Sequence, residues 1–183
     1  MDTQTANIGP DSTMEATLEA FPGARRALFR KFHIGGCSSC GFEATETLAQ
    51  VCARNNDLDV DEVIAQIRES HEGDEKIYID PVELAALRDS GNPPPLLDVR
   101  TSEEFEAVRI EGSILMDQEK MQEILGKWDK DAGFAVVDHQ GRQGLDAASF
   151  FLGHGFSKVR CLRGGIDAWS QQVDKKLPRY KLG

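Results

Sequence analysis

Phe134-Ala135-Val136-Val137-Asp138-His139-Gln140-Gly141-Arg142-Gln143-Gly144-Leu145 is the stretch on which the fold turns. It opens with four apolar residues, two of them β-branched, the pattern of a strand buried on both faces. The run stops at a carboxylate, crosses a polar loop and enters a helix expected from Leu145 to Leu152. A continuous apolar strand leading into a helix is the repeating unit of a parallel sheet with covered faces. Ligands of such sheets sit beyond the carboxyl ends of the strands, so the loop after Val137 is the place to look for a site.

The same alternation extends on both sides. Lys76-Ile77-Tyr78-Ile79 is strand-like, and Asp80-Pro81 caps a helix through Leu84, Ala85 and Leu87. Pro95-Leu96-Leu97-Asp98-Val99 is a buried strand followed by an acidic helix start at Thr101-Ser102-Glu103-Glu104. Gly112-Ser113-Ile114-Leu115 is the third strand and Val159-Arg160-Cys161-Leu162 the fifth. Gly164-Gly165 then leads into a helix that contains Trp169. Residues 76–183 are therefore expected to form an α/β domain, a mostly parallel five-stranded sheet with helices on both faces.

Leu97-Asp98-Val99-Arg100-Thr101-Ser102-Glu103-Glu104-Phe105 resembles the early motif of rhodanese domains. Ile110-Glu111-Gly112-Ser113-Ile114 and Gly155-Phe156-Ser157-Lys158-Val159 follow in the family's order, and Leu162-Arg163-Gly164-Gly165-Ile166-Asp167-Ala168-Trp169 resembles its closing motif. The resemblance implies a cysteine just after the fourth strand, in a loop of the form Cys-Arg-x-Gly-x-Arg curled around the sulfur. Backbone N–H groups and a helix N-terminus favour a thiolate and a bound persulfide there, which makes the sulfur a nucleophile. In this sequence the loop is Asp138-His139-Gln140-Gly141-Arg142-Gln143. Asp138 stands in the cysteine's place and Gln143 in that of the last arginine, while the glycine is kept as Gly141. A carboxylate carries no sulfane sulfur, so Asp138 is expected to fill its own anion nest and accept the loop N–H bonds. His139 reads as an exposed loop residue, with a ligand or base role as the alternative. Arg142 either holds an anionic partner or faces solvent. Cys161, on a buried strand, reads as a small core residue rather than a substitute nucleophile. Asp98 and Arg100 are expected to tie loops together, and Trp169 to pack in the core.

Residues 13–70 read as a small all-α domain. Met14, Leu18 and Phe21 mark one helix behind a capping box from Ser12 to Glu15, and Ala24, Leu28 and Phe32 a second that Pro22 opens. Thr45, Leu48, Ala49 and Cys52 trace a third stripe; Asp59 caps a fourth with Val60, Val63, Ile64 and Ile67 inward. Between the second and third lies Gly35-Gly36-Cys37-Ser38-Ser39-Cys40. A thiol at a helix N-terminus has a lowered pKa, so one sulfur of such a pair attacks while the other resolves. Phe32-His33-Ile34-Gly35-Gly36-Cys37-Ser38-Ser39-Cys40-Gly41 with Glu46-Thr47-Leu48 resembles the hybrid-cluster-protein-associated disulfide domains, which implies redox or sulfur chemistry. The residues leave three readings open: a redox-active or persulfide-carrying dithiol, a metal site, or two idle thiols. Cys37 and Cys40 are the catalytic candidates. A metal would draw on His33, Cys37 and Cys40, three ligands where structural zinc takes four, with Cys52 or a second chain to complete the set. No cofactor is expected.

Residues 1–12 are expected to be a flexible tail and residues 71–75, around Gly73, a linker. Residues 1–75 hold 6 basic and 14 acidic residues, a net of −8, against 15 and 17, a net of −2, in residues 76–183. The overall net charge of −10 argues against nucleic acid and membrane surfaces as partners. No apolar run approaches the ~20 residues of a membrane helix. MDTQTANIGPDST carries neither a basic region nor an apolar core, so no secretory signal is expected there, and the reducing cytoplasm is the expected compartment for the 4 cysteines. The expected partner is a thiol- or persulfide-bearing protein or a small thiol. Three functions stand side by side. The first is sulfur relay or thiol redox on Cys37 and Cys40, with an inactive rhodanese-like domain used for docking. The second is a non-enzymatic binding or metal-binding module, and the third a sulfurtransferase with an atypical loop.

Overall fold

A computed structural model describes residues 7–35 and 41–180. The chain divides into two compact units, Met1–Lys76 and Ile77–Gly183.

In the first unit, helices α1 (Met14–Ala20), α2 (Ala24–Phe32), α3 (Leu48–Arg54) and α4 (Val60–Glu75) enclose a core of Met14, Leu28, Leu48, Val51, Val63 and Ile67. Each start is fixed by a side chain or a turn. The Thr13 hydroxyl accepts the Ala16 N–H, Thr47 and Gln50 form a reciprocal capping box, and the Asp59 carboxylate accepts the Asp61 N–H. Thr13, not Ser12, is thus the cap of α1; the Ser12 hydroxyl instead accepts the Gly9 N–H.

Two sequence expectations are corrected here. Residues 7–12 are not a loose tail: Ile8 is buried, and the Leu48 and Ala49 N–H groups donate to the Ser12 and Pro10 carbonyls, both at 2.9 Å. These bonds satisfy donors at the start of α3, which pins the segment in place. Residues 71–75 are not a linker, because α4 runs through them. Glu72 and Glu75 lie on its exposed face, where Gly73 meets open space. Asp74 ties this last turn to α2 through a 2.6 Å ion pair with Arg26, and His71 packs edge-on against Phe21.

The second unit runs β1 (Tyr78–Ile79), α5 (Pro81–Asp89), β2 (Leu96–Asp98), α6 (Ser102–Ala107), β3 (Ile114–Leu115), α7 (Gln118–Lys127), β4 (Phe134–Val137), α8 (Gln143–Gly153), β5 (Val159–Leu162) and α9 (Gly165–Gln172). The strands form one all-parallel sheet in the order β1-β5-β4-β2-β3. Alternate residues of β4 feed opposite faces, as the two-residue strand period requires. Ala135 and Val137 join Leu96, Leu162 and Trp169 on one side; Phe134 and Val136 join Leu97, Phe151 and Phe156 on the other. Helix α7 was not expected from the sequence. Its apolar stripe is short, Met121, Ile124 and Leu125 among polar residues, and only Ile124 is fully buried. Among the described residues no helix is long and apolar enough to cross a membrane.

Candidate functional site

β4 is the central strand, and its carboxyl end delivers Asp138 into the turn that becomes α8. Asp138 is 2% exposed. One carboxylate oxygen accepts the Gly141 N–H, and the other accepts the Gln143 N–H at 2.8 Å. Gly141 has φ +86°, a left-handed conformation that glycine adopts without strain and that turns its N–H back to the carboxylate. Gln143 is the first residue of α8, so its N–H is one of the donors a helix leaves unpaired at its start. Asp138 thus fills the anion cradle with its own charge, as the sequence led us to expect.

The loop is held from three sides. Tyr78 of β1 donates its hydroxyl to the Gly141 carbonyl at 3.2 Å. The Cys161 thiol of β5, fully buried beneath the loop, lies 3.7 Å from the same oxygen. The Gly164-Gly165 turn presses against the chain from the far side: Ile166 N–H donates to the Asp138 carbonyl and Asp167 N–H to that of His139. A Cβ on Gly165 would lie 2.5 Å from the Asp138 carbonyl oxygen, and one on Gly144 would lie 3.0 Å from the Cys161 sulfur and 3.2 Å from an Asp138 oxygen. At Gly165 only glycine permits the approach, while at Gly144 a side chain would require Cys161 and Asp138 to give way slightly.

His139 departs from expectation. It is 7% exposed rather than a solvent-facing loop residue. The cause lies 41 positions downstream, where Tyr180 covers the imidazole with ring centroids 4.4 Å apart. The Nδ1 atom of His139 is buried without a hydrogen-bond partner. Tyr180 is itself anchored by polar groups from two other places. Its hydroxyl accepts from Arg100 at 2.7 Å and donates to Glu104 at 2.8 Å. Arg100, clamped by Asp98 and donating to the Val108 carbonyl, ties the end of β2 to the end of α6, the structural role expected of this pair. Next in the chain to Tyr180, Arg179 grips both oxygens of Asp167 at 2.7 and 3.1 Å. Tyr180 was not among the candidates from sequence, and no local signal marks it. Gln140, Arg142 and Gln143 face solvent.

These contacts set the ionisation of the group. Arg179 holds the Asp167 carboxyl below the usual carboxylate range, against some burial. Burial would raise Glu104, but the Tyr180 hydroxyl and Thr101 bring it below its ordinary value. Burial pushes the Tyr180 phenol up.

Cys37 and Cys40 lie outside the described residues. His33 is exposed at the end of α2 in the left-handed conformation, and Cys52 is buried in the helical core. Burial, helped by Asp59, raises the Cys52 thiol above its usual pKa. Among the described residues no three His, Cys, Asp or Glu side chains converge as a metal site.

An all-parallel sheet with a tight loop between β4 and α8 defines an α/β domain whose site lies at the carboxyl end of the central strand. Residues 80–172, half of the chain, match the rhodanese-like domain family, and the chain belongs to that family. A thiosulfate sulfurtransferase, GlpE, of Pseudomonas savastanoi pv. phaseolicola is 33% identical over 91 residues, covering 50% of this chain and 84% of its own. The adenylyltransferase and sulfurtransferase UBA4 of Debaryomyces hansenii is 23% identical over 184 residues, 93% of this chain and 41% of its own. Among solved structures, reduced Bacillus anthracis CoADR-RHD superposes with a TM-score of 0.50 at 20% identity, covering 67% of this chain and 21% of that one, a likeness of fold.

Proposed function

We propose that this is a sulfur-relay or thiol-redox protein whose chemistry resides on Cys37 and Cys40, and whose rhodanese-like domain docks partners without itself carrying sulfur. One observation supports the second half above all: the Asp138 carboxylate accepts the Gly141 and Gln143 N–H groups. A persulfide carrier in this loop needs a sulfur nucleophile and donors to stabilise its charge. Here the position bears oxygen, and its negative charge already occupies those two donors. Aspartate as a nucleophile in its own right is disfavoured, since both oxygens are bound and the residue is almost completely enclosed.

The first half rests on the Cys37-Ser38-Ser39-Cys40 spacing and its resemblance to the helical disulfide domains. In a relay, one thiolate takes the outer sulfur of a sulfane donor as the donor's thiolate or sulfite leaves. The resulting persulfide then passes that sulfur to an acceptor thiolate and returns as thiolate.

The test is mass spectrometry of the full chain, native and denatured, after exposure to thiosulfate and to a glutathione persulfide. Gain of one sulfur mapped to Cys37 or Cys40 supports relay, and a disulfide between them supports redox. Thiosulfate turnover that survives replacement of both cysteines by serine overturns the assignment and returns activity to the Asp138 loop. A metal retained only in the native spectrum overturns it in favour of the binding class.

A further inference from the structure

The segment at residues 173–180 sits on the rhodanese-like unit in the manner of a bound peptide. Val173, Leu177 and Tyr180 pack against the apolar cluster that includes Val108, Ile166 and Trp169. The two residues at its far end then meet separate receptors. The Arg179 guanidinium forks onto both oxygens of Asp167, the geometry that makes arginine–carboxylate recognition directional. The Tyr180 ring lies over His139, and its hydroxyl bridges Arg100 and Glu104, accepting from one and donating to the other. Each feature of an Arg-Tyr dipeptide — planar cation, aromatic face, phenolic hydroxyl — thus has a matching group on the folded domain.

We infer that the surface formed by His139, Asp167, Arg100 and Glu104 is a docking site for a basic-aromatic segment of a partner protein, which residues 179–180 occupy in cis as a displaceable pseudo-ligand. The inference rests on the docking role proposed above and names its receptor and its ligand chemistry. Three observations favour displacement over permanent closure. Arg179 is more than half exposed at its side chain, so its ion pair with Asp167 is open to solvent and holds only weakly. The His139 Nδ1 atom, buried under Tyr180 without a partner, is a standing cost of the closed arrangement that opening to water relieves. Arg179 and Tyr180 are drawn onto acidic groups, Asp167 and Glu104, and their departure would leave Asp167 without its cation and Glu104 without its phenol donor. The site lies beside the β4–α8 loop, at the carboxyl edge where parallel sheets present ligands. An intramolecular segment competes at an effective concentration of the order of millimolar. The closed form therefore lowers the apparent affinity for a partner by the open fraction, and a partner must supply more than the dipeptide alone to win.

The test uses a fluorescent peptide with the sequence of residues 174–180, DKKLPRY, titrated into three proteins: the parent chain, a chain ending at residue 173, and full-length Arg179→Ala/Tyr180→Ala. The last keeps Leu177 in place should the shortened chain not fold. The expected result is saturable binding to the opened proteins, with a Kd of about a tenth of a millimolar or tighter, well below the effective concentration of the cis segment. Binding to the parent should be at least tenfold weaker. Alanine for tyrosine in the peptide should abolish binding, Asp167→Asn in the opened protein should weaken it about two- to fivefold, and the His139 ring resonances should shift on saturation with the parent peptide only. Equal binding by parent and opened chains, or none by either folded opened form, overturns the inference. So does exchange of 174–180 between two copies, seen as a concentration-dependent mass of the parent, because a second copy would then be the occupant. None of these results depends on sulfur transfer at Cys37 or Cys40, so failure here leaves that reading to its own experiment.

Discussion

Asp98 and Arg100 stand two residues apart at the end of β2 and form a two-pronged ion pair sealed from solvent, Nε–Oδ1 2.9 Å and Nη2–Oδ2 2.7 Å. Burial opposes the charge on Arg100, yet the hydrogen bonds to Asp98 and Tyr180 raise its pKa overall. The pair is consequential when broken rather than when formed. Arg100→Ala would strand a buried carboxylate and should lower the unfolding free energy by about 3–5 kcal/mol. Arg100→Lys should fail to rescue it, because an ammonium cannot supply the fork. In the double variant with Asp98→Ala the loss should be less than the sum of the two single losses. Both tryptophans, Trp128 and Trp169, lie in the second unit, so urea unfolding of the full chain followed by tryptophan fluorescence reads the correct transition.

Gly165 and Gly91 offer a controlled comparison of backbone effects. Both have positive φ, +59° and +85°. Around Gly91 a Cβ would meet nothing within 4 Å, whereas at Gly165 it would run into the Asp138 and His139 backbone. Gly91→Ala should cost the left-handed penalty alone, roughly 1–2 kcal/mol. Gly165→Ala should cost a further 1–3 kcal/mol, roughly, for the overpacked contact. Equal losses in urea unfolding would mean that the glycine turn can back away from the loop.

The contrast between these residues also explains what the sequence disclosed. Phe134–Val137 was legible to the residue because a strand buried on both faces is a continuous apolar run, and Val159–Leu162 because three of its four residues are apolar and buried around the exposed Arg160. The Asp138 cradle was legible because a carboxylate, a glycine and a helix start at that spacing have one obvious way to satisfy each other. Helix α7 was not, since its polar sequence buries a single isoleucine. The helical character of residues 71–75 was hidden by Gly73, whose helical position is set by tertiary ties such as Asp74 to Arg26. Burial of His139 was beyond any local reading, because the ring that covers it is 41 residues away. Contacts of that kind depend on the sheet having first brought β4 and the end of α9 together.

Cys52 and Cys161 should resist alkylation in the native protein and react only on unfolding, since both are buried and burial raises the Cys52 pKa. Iodoacetamide labelling at pH 8 with peptide mapping checks this, the pH being chosen near the ordinary thiol value of ~8.5. Early label on Cys161 would show that the loop above it opens readily, and would revive that thiol as a nucleophile.

Closure over His139 should have a pH window set from both sides. Asp167 and Glu104 have folded pKa values below their ordinary ones. Their contribution is fully present above the ordinary carboxylate range, about 4, and is lost as pH falls through the depressed values. Tyr180 has a raised pKa, so its contribution is present below the ordinary phenol value of ~10 and is lost as pH rises through the folded value. The Tyr180 ring resonances should therefore report the closed arrangement across the neutral range, shifting toward exposed values at the acid and alkaline ends. Tyr180→Phe keeps the ring over His139 but removes the bridge to Arg100 and Glu104, so it should abolish the alkaline limb.

Asp138→Cys would put a sulfur where the carboxylate now accepts two amide N–H groups. Those donors are oriented by Gly141, in its left-handed conformation, and by the start of α8. A thiolate placed there gains the same stabilisation, so its pKa should fall below the free-thiol value of ~8.5. The difference in ultraviolet thiolate absorbance between variant and parent, followed against pH, measures it without demanding that a bulky reagent reach a buried atom. Sulfur uptake is a stricter demand. Gln143 offers no charge and Arg142 is the only cation within residues 138–143, so the second charge of thiosulfate is poorly met. The variant should thus show a lowered thiol pKa together with weak thiosulfate turnover, and adding Gln143→Arg should raise turnover with little change in pKa. A thiol at its ordinary pKa would mean that the loop is shaped by the carboxylate itself and collapses without it. Asp138→Asn, whose amide nitrogen would face one of the two N–H donors, and Asp138→Ala, which strands both, should then each unfold at lower urea than the parent, alanine the more.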